Sequence, residues 1–292
     1  MYVTLEPCSH YGDTPPCTNL IIKSKIAEVI YSITDIDKRV RGKTNKILSY
    51  KKIKVKTGLL KNKIKLFYRS YFYSRKNKLP YLTGKIAISK NNLIYSKGNK
   101  RITGIQSDEF THQLRYKNDS IMISYKTLNK DNPRLNCRLK TLKKYSPKRI
   151  VLDNKLDLNI NSYLFKTTDK NNTIVFYNEA EKSKILEFKK SKINLIKSNI
   201  NKNKEFDIKK IMKKLYNLGS RNILIEGGND LTNYLLKKKL FNQFYLFKSP
   251  KKLSKFVEYK EFSGLKILKQ NYKNKLKLKL YFGQDSVVLH RN

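Results

Sequence analysis

Tryptophan is absent from the 292 residues, and histidine and cysteine occur three times each. Three cysteines (Cys8, Cys17, Cys137) in so long a chain cannot form a disulfide scaffold, and they fit a reducing cytoplasm. No apolar run reaches the ~18 residues of a membrane-spanning helix. The opening MYVTLEPCSH lacks a basic segment followed by an apolar one, so it does not read as a secretory signal. No repeat of roughly 20–50 residues is visible, which argues against a solenoid. Acidic residues are few, 22 against 65 basic ones, for a formal net charge of +43.

What is present fits a globular chain of about two domains. With 39% hydrophobic residues, 13 Phe and 20 Tyr, there is enough apolar surface to bury, and wholesale disorder is excluded. The charge divides into 54 lysines and 11 arginines, in company with many Asn, Ile and Tyr. Lysine, asparagine and isoleucine share A/T-rich codons, so base composition alone produces this pattern. A nucleic-acid binder concentrates charge on one face and favours arginine for bidentate contacts. Here the lysines are spread, around residues 51–56, 189–192, 237–239 and 273–279. No specific nucleic-acid partner and no membrane partner is expected.

The hydrophobic pattern alternates strands and helices. Strands are expected at Tyr2–Leu5, Ala27–Ser32 and Lys52–Val55, and helices from Pro15 to about Lys25 and over 59–75. A linker at Lys76–Pro80 divides the chain into 1–76 and 77–292. The second part predicts strands at Tyr81–Ile88, Ser120–Ser124, Arg149–Asp153, Asn172–Tyr177, Asn222–Glu226 and Phe244–Phe247. Helices are expected from Thr103, where Gln106 completes a capping box, to Tyr116, and over Ile208–Leu218 and Asp230–Leu240. Lys275–Phe282 alternates Lys and Leu as a half-buried strand, turning at Gly283-Gln284 into Ser286–His290 as a hairpin. This order implies an α/β fold with a mostly parallel sheet.

Three stretches carry chemistry. In TLEPCSHYGDTPPC (Thr4–Cys17), two thiols at a helix start make half a tetrahedral zinc site, or an ordinary pair of buried cysteines. In Arg101–Arg138, Arg115 and Arg138 stand out in a lysine-rich chain. A planar fork suits bidentate phosphate binding, although surface arginines read the same way. Asp131-Asn132-Pro133 reads from composition as a plain turn. NILIEGGNDLTNYLL (Asn222–Leu236) is strand, Gly-Gly, helix, a start that can receive a cofactor phosphate or serve as a tight turn.

Taken whole, these strings resemble the bifunctional riboflavin-biosynthesis deaminase/reductase family, and FGQDSVVLHR resembles its closing hairpin. The resemblance implies a cytidine-deaminase-like domain, incomplete here, followed by a dihydrofolate-reductase-like domain. It implies NADPH-dependent reduction of 5-amino-6-(5-phosphoribosylamino)uracil by a cytoplasmic homo-oligomer. Carried over, Cys8 and Cys17 match zinc ligands, and His10 matches a histidine near the deaminase substrate. The His-Ala-Glu segment that supplies the third ligand and the general acid/base would lie before Thr4, so no deamination is expected from the chain as written. On the reductase side, Asn99, Arg115, Leu135, Arg138 and Glu226 correspond to substrate contacts. Ala87, Arg101, Thr127, Asp131, Asn154, Gly228, Asn229, Asp230, Leu231 and Thr232 correspond to NADPH contacts, and Lys85 to a charge near the reacting centre. The sequence departs from the family at Lys90, Asn91 and Asn92, where Leu-Asp-Gly is usual, and at Arg101, where tryptophan is common. A catalytically decayed remnant and a basic nucleic-acid-binding protein are the competing readings.

Overall fold

The computed structural model describes residues 1–98, 101–169 and 172–291. The chain separates into two compact units, Met1–Leu79 and Pro80–Asn292, a boundary slightly beyond the expected 76/77 division.

The smaller unit runs β1 (Tyr2–Leu5), α1 (Cys17–Lys23), β2 (Glu28–Ile33), α2 (Lys43–Tyr50), β3 (Lys54–Thr57), α3 (Lys61–Phe67) and α4 (Arg69–Asn77). Its three strands pair in parallel in the order β1-β2-β3. Ile21, Val29, Leu48 and Ile53 form its core. The single helix expected over 59–75 is two helices meeting at Tyr68, whose hydroxyl lies 2.9 Å from Thr4 Oγ1. Helix α2 has no local capping signal because its cap comes from afar. The buried Glu6 carboxylate accepts the N–H groups of Gly42 and Thr44 at 3.2 and 3.3 Å.

The larger unit runs β4 (Tyr81–Ile88), β5 (Leu93–Ser96), α5 (Ile105–Tyr116), β6 (Ser120–Ser124), α6 (Tyr125–Asp131), β7 (Lys148–Leu152), α7 (Tyr163–Lys166), β8 (Thr173–Tyr177), α8 (Lys182–Lys190) and β9 (Asn194–Lys197). It continues with α9 (Ile208–Asn217), β10 (Asn222–Ile225), α10 (Asn229–Lys237), β11 (Gln243–Lys248), β12 (Tyr259–Glu261), α11 (Leu265–Asn271), β13 (Asn274–Lys277) and β14 (Ser286–Arg291). Among the described residues one sheet has the order β13-β14-β11-β4-β10-β6-β7-β8-β9. Pairing is parallel from β11 through β9 and antiparallel only where β14 and β13 close one edge. The fold is therefore α/β with a mostly parallel sheet, as the alternation of elements implied. Buried runs such as Ile121–Ile123 and Ile223–Ile225 fit strands covered on both faces. A separate ribbon pairs β5 with β12. Among the described residues no helix is long and apolar enough to cross a membrane.

Two local expectations fail. Thr103 does not cap α5; Gly104 occupies that position, and Asp285 accepts its N–H at 2.8 Å and the Ser107 hydroxyl at 2.7 Å. A carboxylate 181 positions away does what the local capping box was expected to do. The Lys-Leu alternation over 275–282 yields only the short strand β13, whose residues are all exposed, and residues 278–285 loop back to β14. Phe282 is buried from that loop rather than from a strand.

Gly84, in the middle of β4, faces Phe244 and Phe241 so closely that an added Cβ would overlap both rings. Gly84→Ala is expected to destabilise the protein by about 1–3 kcal/mol, as overpacked cores do, read as a lowered urea midpoint.

Candidate active site

Parallel α/β sheets bind ligands where strand carboxyl ends leave a crevice. Here the crevice is a cavity of about 790 Å³ at the ends of β4, β6 and β10. Lys85 and Ala87 reach it from β4, and Ser124 and Thr127 from the β6–α6 junction. Glu226, Gly227 and Gly228 follow β10, while Asp131 lies at the end of α6. The ribbon contributes Tyr95 and Lys260.

At the edge of this cavity is a buried ion pair. Arg115 on α5 donates from Nε to Glu226 Oε1 at 2.7 Å and from Nη2 to Oε2 at 2.8 Å, and its Nη1 donates to the Asn136 carbonyl at 3.1 Å. Both side chains are about one-tenth exposed. Burial alone would push the Glu226 carboxyl up; the charge and hydrogen bonds of Arg115, helped by Lys85, outweigh it and hold the carboxyl below its ordinary range. Burial pulls the Lys85 ammonium down, Glu226 opposes this, and Arg115 adds to it. Lys85 Nζ sits 5.0 Å from the Phe247 ring centroid.

The expected pair of phosphate-binding arginines is thus not a matched pair. The Arg115 fork is engaged by Glu226, whereas Arg138 is exposed, with one long contact of 3.4 Å from Nη1 to Asn136 Oδ1. Both nonetheless stand beside α5, since Arg115 reaches the Asn136 carbonyl and Arg138 N–H reaches His112 Nδ1, although neither arginine lines the cavity itself. The Leu135 side chain is in the hydrophobic core, at a left-handed φ of 56°, so it does not line the cavity. Asn99 lies outside the described residues.

The glycine-opened helix is pinned to the β6–α6 junction. Gly228 N–H donates to Thr127 Oγ1 at 3.1 Å, and a Cβ on Gly228 would come within 2.7 Å of that oxygen. Gly228's own N–H is therefore taken, and the N–H groups free for an anion are those of the following first turn of α10. Asn229 and Asp230 line the cavity, but the Asn229 side chain also bonds Ser263. Leu231 and Thr232 are buried, with Thr232 Oγ1 donating to the Gly227 carbonyl at 3.3 Å. Asn154 faces an adjoining cavity of about 290 Å³ that shares Ser124, Lys126 and Asp230 with the first.

Arg101 lines the cavity and approaches Asp108 at 3.5 Å. Asn91 and Asn92, the other departures from the family pattern, build the turn between β4 and β5. Asn92 adopts φ 62°, which asparagine tolerates, and Asn91 bonds Ser89 and both backbone groups of Leu253. Sequence reading missed Asp108 and His112. Their spacing of four and three with Arg115 on α5 was the available signal, one face of a helix carrying three ionisable groups.

In the smaller unit, Cys17 N–H donates to Cys8 Sγ at 3.2 Å, so the two thiols do meet at the start of α1. His10 Nδ1 is enclosed without a hydrogen-bond partner among the described residues. No group of three His, Cys, Asp or Glu side chains among the described residues could hold a metal ion. Two cysteines alone do not fit a zinc site. The neighbouring carboxylate, Glu6, is spent on the N–H groups of Asp35, Gly42 and Thr44.

Comparison with known proteins agrees with this geometry. Residues 81–284 match the RibD C-terminal domain. The chain is 30% identical over 293 residues to riboflavin biosynthesis protein RibD of Actinobacillus pleuropneumoniae, covering 98% of this chain and 77% of that protein. With the RibD of Aquifex aeolicus it shares 28% over 293 residues, covering 100% and 80%. A crystal structure from Thermotoga maritima, a diaminohydroxyphosphoribosylaminopyrimidine deaminase/5-amino-6-(5-phosphoribosylamino)uracil reductase, superposes with a TM-score of 0.80 at 25% identity. It covers 99% of this chain and 78% of that one.

Removing the Arg115 fork strands a buried carboxylate. Arg115→Met is expected to cost about 3–5 kcal/mol, and Arg115→Met with Glu226→Leu much less, both measured by urea denaturation. Because the Glu226 carboxyl is held below its ordinary 4.5, the pair's stabilisation is complete above that pH and falls away on acidification; the double variant loses this dependence.

Proposed function

Because the chain belongs to the RibD family of riboflavin biosynthesis proteins, we propose that its larger unit is the NADPH-dependent reductase acting on 5-amino-6-(5-phosphoribosylamino)uracil. The observation that carries this reading is the single cleft in which Lys85, Glu226, Thr127, Asp131 and the Gly228 helix start converge.

Ala87, Arg101, Thr127, Asp131, Asn154 and the segment Gly228–Thr232 would hold NADPH, Leu231 through its backbone N–H; Thr232, whose N–H donates to the Gly228 carbonyl at 3.1 Å, would fix the helix start. When bound, NADPH supplies the hydride that adds to C1′ of the ring-opened, imine form of the sugar. The nitrogen of that imine takes up a proton and becomes the amine of the ribitylamino product. Lys85, an ammonium in the cavity lining whose burial eases proton loss, would give it. Glu226, fixed at both oxygens by Arg115, accepts hydrogen bonds from the pyrimidine without rotating. Arg138 provides the exposed guanidinium for the substrate phosphate, and Arg115 sets the carboxylate rather than the phosphate. Beyond this, the protein aligns donor and acceptor carbons and excludes water.

For the smaller unit, the Cys8–Cys17 pair has no third ligand among the described residues, and Glu6 is bound to three N–H groups. We read the dispersed lysines as a solvated surface.

With the purified chain and the aminouracil substrate, NADPH absorbance is expected to fall. Gly228→Ala should raise KM for NADPH at least tenfold, because its Cβ displaces Thr127. A folded wild-type chain that binds NADPH without consuming it would favour the decayed remnant.

A further inference from the structure

His112 is buried on α5 at 8% exposure, one turn before Arg115, and the proposed chemistry does not use it. Three contacts stitch the segment Asn136–Arg138 to this one helix. Arg115 Nη1 donates to the Asn136 carbonyl at 3.1 Å. The Cys137 thiol points at the His112 carbonyl at 3.6 Å. Arg138 N–H donates to His112 Nδ1 at 3.3 Å.

The last contact fixes the imidazole's chemistry. A ring nitrogen that accepts from a main-chain N–H is unprotonated, so the neutral ring carries its proton on Nε2. Protonating Nδ1 would remove the acceptor and set a third cation between Arg115 and Arg138. The other charged group that acts on the ring, Glu226, is already committed to Arg115 at both oxygens. Burial first, then the two arginines, hold the imidazole down at about 4, so it stays neutral at physiological pH.

We propose that neutral His112 is a positioning residue for Arg138: through its Nδ1 it fixes the main chain of the residue that receives the substrate phosphate. The inference rests on the reductase reading above and on Arg138 as the phosphate contact. Among the described residues the Arg138 side chain has a single 3.4 Å contact, to Asn136 Oδ1, so the direction of its guanidinium depends on where its main chain is held. The same imidazole thereby couples Arg138 to the helix that carries the Arg115–Glu226 pair, and the two ends of the substrate are held from one element.

The experiment compares KM and kcat for the phosphorylated aminouracil and its dephosphorylated counterpart in wild type, Arg138→Ala, His112→Leu and His112→Asn. Asparagine places its Oδ1 where the imidazole has Nδ1 and restores the acceptor; leucine has about the same volume and none. Arg138→Ala should raise KM for the phosphorylated substrate tenfold or more and leave the dephosphorylated one nearly unchanged. His112→Leu should do the same in part, by roughly three- to tenfold, with kcat little altered, and His112→Asn should stay close to wild type. A merely structural histidine predicts equal losses for both substrates. Arg138→Ala selective but His112→Leu not would overturn the positioning role and leave the Arg138 reading standing. Arg138→Ala without selectivity would remove that reading and the inference with it. If His112→Leu does not fold, the comparison falls to His112→Gln, whose acceptor lies at the wrong end: selective loss there with His112→Asn intact supports the role, and equal behaviour of the two overturns it.

Discussion

The Arg115–Glu226 pair is the constraint on which the larger unit depends. Taking a carboxylate and a guanidinium out of water costs several kcal/mol each, and their attraction offsets this only with good geometry and the remaining donors satisfied. Both conditions hold: two parallel N–H···O bonds of 2.7 and 2.8 Å, and a third donation to the Asn136 carbonyl. The pair ties α5 to the end of β10 and, through Asn136, to the segment that carries Arg138. Lys85, Arg115 and Arg138 act on two carboxylates, Glu226 and Asp108, so the cluster of three cations and two anions carries a net positive charge. A phosphorylated substrate suits such a field.

The sheet explains why these residues meet although 111 positions separate Arg115 from Glu226. β4, β10 and β6 are parallel neighbours, so their carboxyl ends share one rim and each delivers its next residues there. β4 is flanked by β11 and β10, and Gly84 leaves room for the Phe241 and Phe244 rings beneath that rim. On the rim, Thr127 and Gly228 lock the start of α6 to the start of α10. What a ligand meets is therefore two helix starts and a strand end held by short-range bonds, a rigid surface of the kind pre-organised binding needs. The ribbon of β5 and β12 reaches the same cleft, with Lys130 at 3.0 Å from Glu258 and at 3.7 Å over the Tyr95 ring.

Much of this was legible in the sequence, and the failures have a common cause. Strands with continuous apolar runs, such as SIMIS and NILIE, declare themselves because both faces are buried. The Gly-Gly after β10 and the acidic residue before it marked the cleft. What could not be read were partners supplied from a distance: Asp285 capping α5, Glu6 capping α2, and Glu226 occupying the fork of Arg115. Local reading treated Arg115 and Arg138 as equals, because nothing in the residues near either one says that one is buried and the other exposed. Asn132 and Leu135 also hide their left-handed backbone, φ 40° and 56°, behind side chains that do not require it. In the smaller unit, the Cys8–Cys17 approach was readable from the motif, and it stops short of a metal site among the described residues.

One cleft is held to bring reductant and sugar carbon together, and isotope transfer tests this most directly. With NADPH deuterated at the nicotinamide C4 position that is transferred, in ordinary water, the ribitylamino product should carry one deuterium, at C1′, by mass spectrometry and NMR. Product lacking deuterium at that carbon, or carrying it only when the solvent is deuterated, would contradict direct transfer within the cleft.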